Sequence, residues 1–249
     1  MRGRFVLIAA RELLPVHLRV QAVTASLKRA VLAGAFTLSA AVVFAQSPDR
    51  AALAQQFGQG AKANAAALKM YSWKMRVGVT LKGDPKPAKL FQMRFDADGK
   101  LQKTALTQDA PQQKQRGLKG RIVAKKTAEM KEYAGDLADL CKGYLAPSPA
   151  LLQSFFAIVQ SAPGPDGFVQ LFAEGVISPG DKLVYEIDPK TQAIHRVLFH
   201  AALEGDPVDG TVEFATVPGG GPSYAARTTV NAPAKKLTAK IENFEYVRQ

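Results

Sequence analysis

His195 and His200 are the only histidines beyond His17 in the chain. They lie five positions apart, a spacing that puts two strand residues on opposite faces. They cannot ligate one metal unless a bulge intervenes, and read as surface or packed imidazoles. Asp96-Ala97-Asp98-Gly99 resembles the start of a calcium loop but lacks the third ligand and the closing glutamate of an EF-hand, so it reads as a hairpin turn. Asp206 and Asp209 flank a proline-containing turn without a companion acid, base or nucleophile. Cys141 falls beside Leu137, Leu140 and Tyr144 on the apolar side of a helical pattern, the place of a small core residue. As the only cysteine, it excludes thiolate cages for zinc or iron–sulfur clusters. Gly-x-Ser-x-Gly, His-Glu-x-x-His, phosphate-loop and dinucleotide fingerprints are missing, and Gly219–Gly221 has no helix after it. The expectation is a binding protein rather than an enzyme, with no catalytic residues, no cofactor and no metal.

Two apolar features stand out. Trp73, Met75, Val77 and Val79, followed by Phe91, Met93 and Phe95, occupy alternate positions of two segments and form one apolar strand face. Ala150–Val159 is a short helical segment so apolar, with Phe155 and Phe156 among its residues, that little of it can face water. Either the two pack together as an ordinary core, or a half-closed sheet leaves space between face and lid for a ligand. Methionines and broad aromatics suit acyl chains of variable shape, and burying such a chain gains about 0.8 kcal/mol per CH2.

A third feature is charge. The chain has 33 Lys+Arg against 21 Asp+Glu. Residues 103–131 hold eight basic and two acidic residues, among them Lys119, Arg121, Lys125 and Lys126. This stretch is either a solvated helix face or a contact for an anionic membrane surface, where each cation contributes on the order of 1 kcal/mol. It lacks the interleaved aromatics of a single-strand binder, and nucleic acid is not an expected partner.

The elements that must carry these residues begin after a leader. Arg2, Arg4, Arg11, Arg19, Lys28 and Arg29 precede an uncharged run, Ala30–Ala45, that ends in Val43-Phe44-Ala45. Basic, apolar and small-residue regions in this order mark residues 1–45 as a secretory signal peptide. The 16-residue run is short against the roughly 20 residues of a membrane span. Residues 46–249 then carry 27 basic and 20 acidic residues, a net +7, and are expected to form a single domain in the periplasm.

Ser47-Pro48-Asp49 caps a helix in which Leu53, Phe57, Ala61, Ala65 and Leu68 recur at helical spacing. Residues 71–106 read as three antiparallel strands, with turns at 83–87 and 96–99. Ile122, Met130, Tyr133, Leu137, Leu140 and Tyr144 predict a helix over 121–144, which Pro147-Ser148-Pro149 separates from the apolar helix. Strands follow at 168–177, 182–188, 193–203, 211–217, 223–230 and 237–247, joined by turn chemistry such as Pro179-Gly180-Asp181 and Asp188-Pro189-Lys190. The fold class is α+β: a curved antiparallel sheet of about nine strands, an incomplete β-barrel covered by the N-terminal helix and the inserted helix pair.

This order of elements, with the strand–turn–strand phrase Tyr185-Glu-Ile-Asp-Pro-Lys-Thr-Gln-Ala-Ile-His-Arg196, resembles the periplasmic LolA-like family of lipoprotein carriers and RseB-type sensors. The resemblance implies a half-barrel over residues 46–249 that shelters a lipid or the acyl chains of an acylated protein. Its ligand site would comprise Trp73, Met75, Val77, Val79, Phe91, Met93 and Phe95, with Phe155 and Phe156 in the lid. It leaves open an envelope sensor or protein-interaction module on the same scaffold.

Overall fold

The structure, a computed structural model, describes residues 50–107 and 118–249. The leader and its Ser47 cap lie outside the described residues. Helix α1 (Arg50–Leu68) leads into β1 (Tyr71–Leu81), a two-residue extension β2 (Asp84–Pro85), β3 (Lys89–Phe95) and β4 (Leu101–Ala105). Helices α2 (Leu118–Leu145) and α3 (Pro149–Ile158) follow. The chain then runs through β5 (Gln160–Pro163), β6 (Val169–Glu174), β7 (Lys182–Ile187), β8 (Ile194–Leu203), β9 (Asp206–Thr216), β10 (Ser223–Ala232) and β11 (Leu237–Arg248). The strands form one curved antiparallel sheet in the order β4-β3-β1-β11-β10-β9-β8-β7-β6-β5, with β2 paired to β1. The sheet is not closed into a barrel. The α+β class and the open antiparallel sheet are as the sequence predicts; β2 and β5 are additional.

Two neighbouring rows show why this sequence makes one sheet with two different faces. Leu171, Tyr185, Val197, Val212, Thr228, Ile241 and Val77 are opposite one another in register across seven strands, from β6 to β1. This row is apolar but for Thr228, and lines the inner face. One residue along each strand, Gln170, Glu186, Arg196, Glu213, Arg227, Glu242 and Arg76 form the corresponding row on the outer face. Its charges alternate in sign from strand to strand. Arg76 meets Glu242 at 3.0 Å, Arg227 meets Glu213 at 3.0 Å, and Arg196 lies 3.5 Å from Glu186. The two exposed pairs, Arg76–Glu242 and Arg227–Glu213, contribute only about 0.2–1 kcal/mol each, whereas Glu186 is buried. A slip of one residue would nevertheless turn every apolar member outward, so the two rows together define the register.

The helices cover one part of the inner face. Phe57 of α1 packs edge-on against Phe156 of α3, with ring centroids 4.9 Å apart, and against Tyr185 of β7 at 5.6 Å. Asn64 ties α1 to β10 by donating to the Ser223 carbonyl and accepting from the Ser223 amide. Ser148 caps α3 by accepting from the Leu151 amide. Only the C-terminal half of α2 is part of the cover. Tyr133, Leu137, Ala138, Cys141 and Tyr144 are buried, whereas Arg121, Ile122 and residues 124–129 are exposed. The inserted pair is therefore a smaller cover than expected, and the basic half of α2 stands in solvent. The physical reason is that α2 is anchored to the sheet through Tyr144, whose ring stacks on Phe199 of β8 at 4.8 Å and whose hydroxyl donates to Asp181 at 2.7 Å.

Candidate functional site

The inner face divides into two apolar clusters. The larger one joins α1, the buried half of α2 and α3 to β6–β10 and the first residue of β11, and includes Phe155, Phe156, Tyr185 and Phe199. The smaller one consists of Trp73, Met75, Phe91, Met93, Phe95 and Ile241, with Val77, Leu101 and Tyr246 packed against it. None of its members comes from a helix. Of the expected ligand-site residues, the structure thus brings together Trp73, Met75, Phe91, Met93 and Phe95, with Val77 beside them. Val79 packs instead against the larger cluster. Phe155 and Phe156, 0% and 2% exposed, lie under the helices against Phe57 and Tyr185 and touch no member of the smaller cluster. The seam falls at Thr228, a buried hydroxyl residue of the inner row between Val212 and Ile241.

Two β-bulges shape the smaller cluster. In the β1–β11 pair, Ser72 is opposite Val247 but Lys74 is opposite Phe244, so Glu245 and Tyr246 share one partner, Trp73. Strict alternation along β11 from Ile241 and Asn243 would put Glu245 on the inner face. A left-handed backbone at Glu245, φ +54°, places its carboxylate with Lys74 instead. Tyr246 is turned inward and stacks on Trp73, with centroids 5.4 Å apart and planes 6° from parallel. Phe95, Trp73, Tyr246 and Tyr224 follow in a row of rings across β3, β1, β11 and β10. The second bulge, between Ala225 and Arg227 of β10, is joined to this row. The Trp73 indole donates to Asn243 at 3.1 Å, and the Asn243 amide donates to the Ala225 carbonyl at 2.9 Å. The ring that alternation places on the site is therefore stacked on one that alternation does not, and is tied by hydrogen bonds through Asn243 to the second bulge. Tyr246, Ile241 and Leu101 are site residues that sequence reasoning missed. Ile241 and Leu101 were open to the period-two rule; Tyr246 was hidden by the bulge. Burial, and then the neighbouring Tyr224, push the Tyr246 phenol up, so it remains neutral.

Other candidate groups have ordinary structural partners. His195 stacks on Phe168 and His200 pairs with Asp209 at 2.7 Å, so the two imidazoles serve different contacts. Among the described residues, no group of three acids, histidines or cysteines converges as metal ligands would. Cys141 is buried among apolar neighbours, and burial pushes its thiol up to about 12. It is not a nucleophile at neutral pH. Asp96 closes its turn by accepting from the Lys100 amide and the Gln102 side chain. The cleft of about 360 Å³ lined by Arg76, Glu213, Arg227 and Glu242 sits over the outer row of alternating charges, which neutralise one another. Tyr185 and Tyr133 are different: their hydroxyls are buried without a hydrogen-bond partner. Each such group costs about 1–3 kcal/mol.

Of the residues expected to meet an anionic surface, Arg121, Lys125 and Lys126 are exposed on the projecting half of α2, with Lys125 3.9 Å from Glu129. Lys119 lies on the same helix. No helix of the described residues is long and apolar enough to cross a membrane.

No protein-family model and no curated protein matches this chain. Among solved structures, the chain is similar to a LolA superfamily protein from Nitrosomonas europaea, with 8% identity and a TM-score of 0.34 over 76% of this chain and 93% of that one. It is also similar to a DUF1329 family protein from Desulfovibrio piger, with 11% identity and a TM-score of 0.36 over 76% of this chain and 92% of that one.

Proposed function

We propose that this chain is a non-catalytic periplasmic binding protein or carrier, a single domain over residues 46–249 that takes up a lipid or the acyl chain of an acylated protein on the inner face of its sheet. The observation that supports this reading is the smaller cluster on the inner face, in which two buried methionines pack with aromatic rings and no helix residue is among its members. We place the ligand against Trp73, Met75, Val77, Phe91, Met93 and Phe95, and assign Phe155 and Phe156 to the helical cover beside it. Two thioether side chains adapt to a flexible chain, and the rings supply area at little entropic cost.

Trp73 is the only tryptophan, so its fluorescence reports on this surface alone. Titration of the purified protein with a soluble acyl ligand such as a lysophospholipid is expected to shift and intensify the Trp73 emission, saturating at one ligand per chain. Binding seen by calorimetry with an unchanged Trp73 spectrum would place the ligand elsewhere. No binding of acyl ligands, with no lipid recovered by extraction of the purified protein, would defeat the carrier reading and favour a sensor or protein-interaction role.

The solvated half of α2 supplies the second part of this reading, delivery at an anionic membrane surface. Arg121, Lys125 and Lys126 are exposed beside Ile122, which is 57% exposed, and such a helix half can lay its cations on headgroups and its isoleucine among the acyl chains. Vesicles containing phosphatidylglycerol should sediment the protein, and vesicles of phosphatidylcholine should not. Lys125→Glu combined with Lys126→Glu should weaken sedimentation about tenfold or more. Equal binding to both vesicle types would show that these cations play no part.

A further inference from the structure

The strand pairings sort the turns of the sheet onto two ends. The β1–β2, β6–β7, β8–β9 and β10–β11 turns lie at one end, and the β3–β4, β5–β6, β7–β8 and β9–β10 turns at the other. Helix α2 runs along the first end. Near its C-terminus Tyr144 donates to Asp181 of the β6–β7 turn, and near its middle Tyr133 lies beneath Lys235 of the β10–β11 turn, with the ammonium 5.0 Å from the ring centroid. Followed back towards Leu118, the helix continues past β10–β11, and the next turn in sheet order is β1–β2. The exposed half with Arg121, Ile122, Lys125 and Lys126 therefore leaves the sheet on the side of that turn.

These two neighbouring turns carry lysines where the backbone favours other residues. Of six non-glycine residues with left-handed backbone among the described residues, two are Lys82 of the β1–β2 turn (φ +56°) and Lys236 of the β10–β11 turn (φ +50°). The Lys82 amide donates to the Lys236 carbonyl at 2.7 Å, which fastens one turn to the other. Glycine or asparagine adopts this conformation at less cost, so the backbone does not account for lysine at both positions. Both side chains are exposed, as is that of Lys86 just beyond them, with Asp84 the one acid in between. None of the three lysines forms an ion pair among the described residues. At the other end the turns are closed by carboxylates instead: Asp96 accepts from the Lys100 amide and Asp188 from the Lys190 amide.

We propose that this end of the sheet, and not α2 alone, is the surface that meets an anionic membrane. Lys82, Lys86 and Lys236 reach the lipid headgroups together with Lys125 and Lys126, and the sheet stands end-on, with the β1–β2 and β10–β11 turns at the lipid. The inference rests on the delivery reading above and adds to it the orientation of the protein. A single helix half on a headgroup layer leaves the body free to swing about it, whereas cations on two separate elements hold one orientation, each contributing through the same surface potential.

The test uses vesicles containing phosphatidylglycerol and the double variant Lys82→Asn with Lys236→Asn, which removes two charges while suiting the left-handed backbone. Its urea midpoint should equal or exceed that of the wild type, and its affinity for the vesicles should fall about tenfold. Lys100→Asn with Lys190→Asn makes the same change of charge at the other end and should alter the affinity less than about twofold. Orientation is read from an NBD fluorophore on an introduced cysteine, Asp84→Cys at the first end or Asp98→Cys at the second; the native Cys141 is buried and does not compete for the label. The vesicles should shift the emission of the first probe to the blue and leave the second unchanged. If the two lysine pairs weaken binding equally, only net charge matters, and the inference falls while the delivery reading stands. The same holds if Lys125→Glu with Lys126→Glu weakens binding and Lys82→Asn with Lys236→Asn does not, or if the second probe responds as strongly as the first. A urea midpoint well below that of the wild type would overturn the inference in favour of a structural role for the two lysines. If the wild type does not bind these vesicles at all, the delivery reading falls and takes the inference with it.

Discussion

Gly210→Ala should destabilise the protein by about 3 kcal/mol or more, a large effect for the addition of one methyl group. Gly210 is opposite Phe199 in the β8–β9 pair, and the Phe199 ring lies across it. A Cβ at this position would stand 1.9 Å from Phe199 Cε1 and 2.1 Å from Cζ, well inside any tolerable contact. The ring has nowhere to withdraw. Its other neighbour is the Tyr144 ring, parallel within 5°, and the Tyr144 hydroxyl is bound to Asp181. Relief of the clash would therefore move α2 off the sheet or break the Tyr144–Asp181 bond. In a strand without this neighbour, glycine to alanine would stabilise by about 0.5–1 kcal/mol, so the sign of the change is diagnostic. Urea unfolding would show a lower midpoint with an unchanged slope, and the double variant Gly210→Ala with Phe199→Leu should recover much of the loss. A single variant as stable as the wild type would mean that the ring does not lie over the glycine.

This chain of contacts shows which parts of the architecture were legible in the sequence. The alternation from Tyr71 to Leu81, the turn phrases and the amphipathic spacing of α2 each depend on residues close together, and each gave the right element. Properties set by cross-strand register were not visible. Nothing local to Trp73 or Phe155 says that they belong to different clusters; that follows from Thr228 in the inner row and from the placement of α1 and α3 over β6–β8. The apolar residues that predict α2 fall three or four apart from Met130 to Tyr144 but leave a gap of eight between Ile122 and Met130, and only the second half covers the sheet. The inward turn of Tyr246 depends on one left-handed residue, Glu245, a type seldom chosen for that conformation. Gly78 and Gly210 look alike as strand glycines, but an added Cβ would meet nothing within 4 Å at the first and an aromatic ring at the second. The candidate site was legible as an apolar face; its separation from Phe155 and Phe156 and its third aromatic strand required the register.

Asp181 is the second position of large effect, and it makes the protein's stability depend on acid. In sequence it is the last residue of a Pro-Gly-Asp turn. In the structure it is 2% exposed and organises the whole β6–β7 connection. Its Oδ1 accepts from the Val176 amide at 2.7 Å, and its Oδ2 accepts from the amides of Ile177 at 2.8 Å and Ser178 at 2.9 Å and from the Tyr144 hydroxyl. Burial by itself would raise its carboxyl pKa. The bond from Tyr144 and the three amides outweigh burial and hold it below the ordinary carboxylate range. A carboxyl held low in the folded protein contributes stability that is complete above about pH 4, its unfolded value, and is lost as pH falls through the lower folded value. Asp181→Asn places an amide donor among four donors and should cost about 2–4 kcal/mol at pH 7. Below about pH 3 the difference from the wild type should narrow, because the wild-type carboxyl is then itself taking up a proton. Tyr144→Phe removes one of the four donors and should cost less, about 1–2 kcal/mol, with a shallower acid slope. The slope should persist in part in both variants: Asp96 and Asp188 are also held low, chiefly by the Lys100 amide in one case and the Lys190 amide in the other. Urea unfolding of the three proteins from pH 7 to pH 2.5 would measure this. Curves for wild type and Asp181→Asn that run parallel throughout would show that the buried carboxylate is not charged in the folded protein. Convergence would show that the charge on Asp181, transmitted through Tyr144 and Phe199, holds α2 against the sheet.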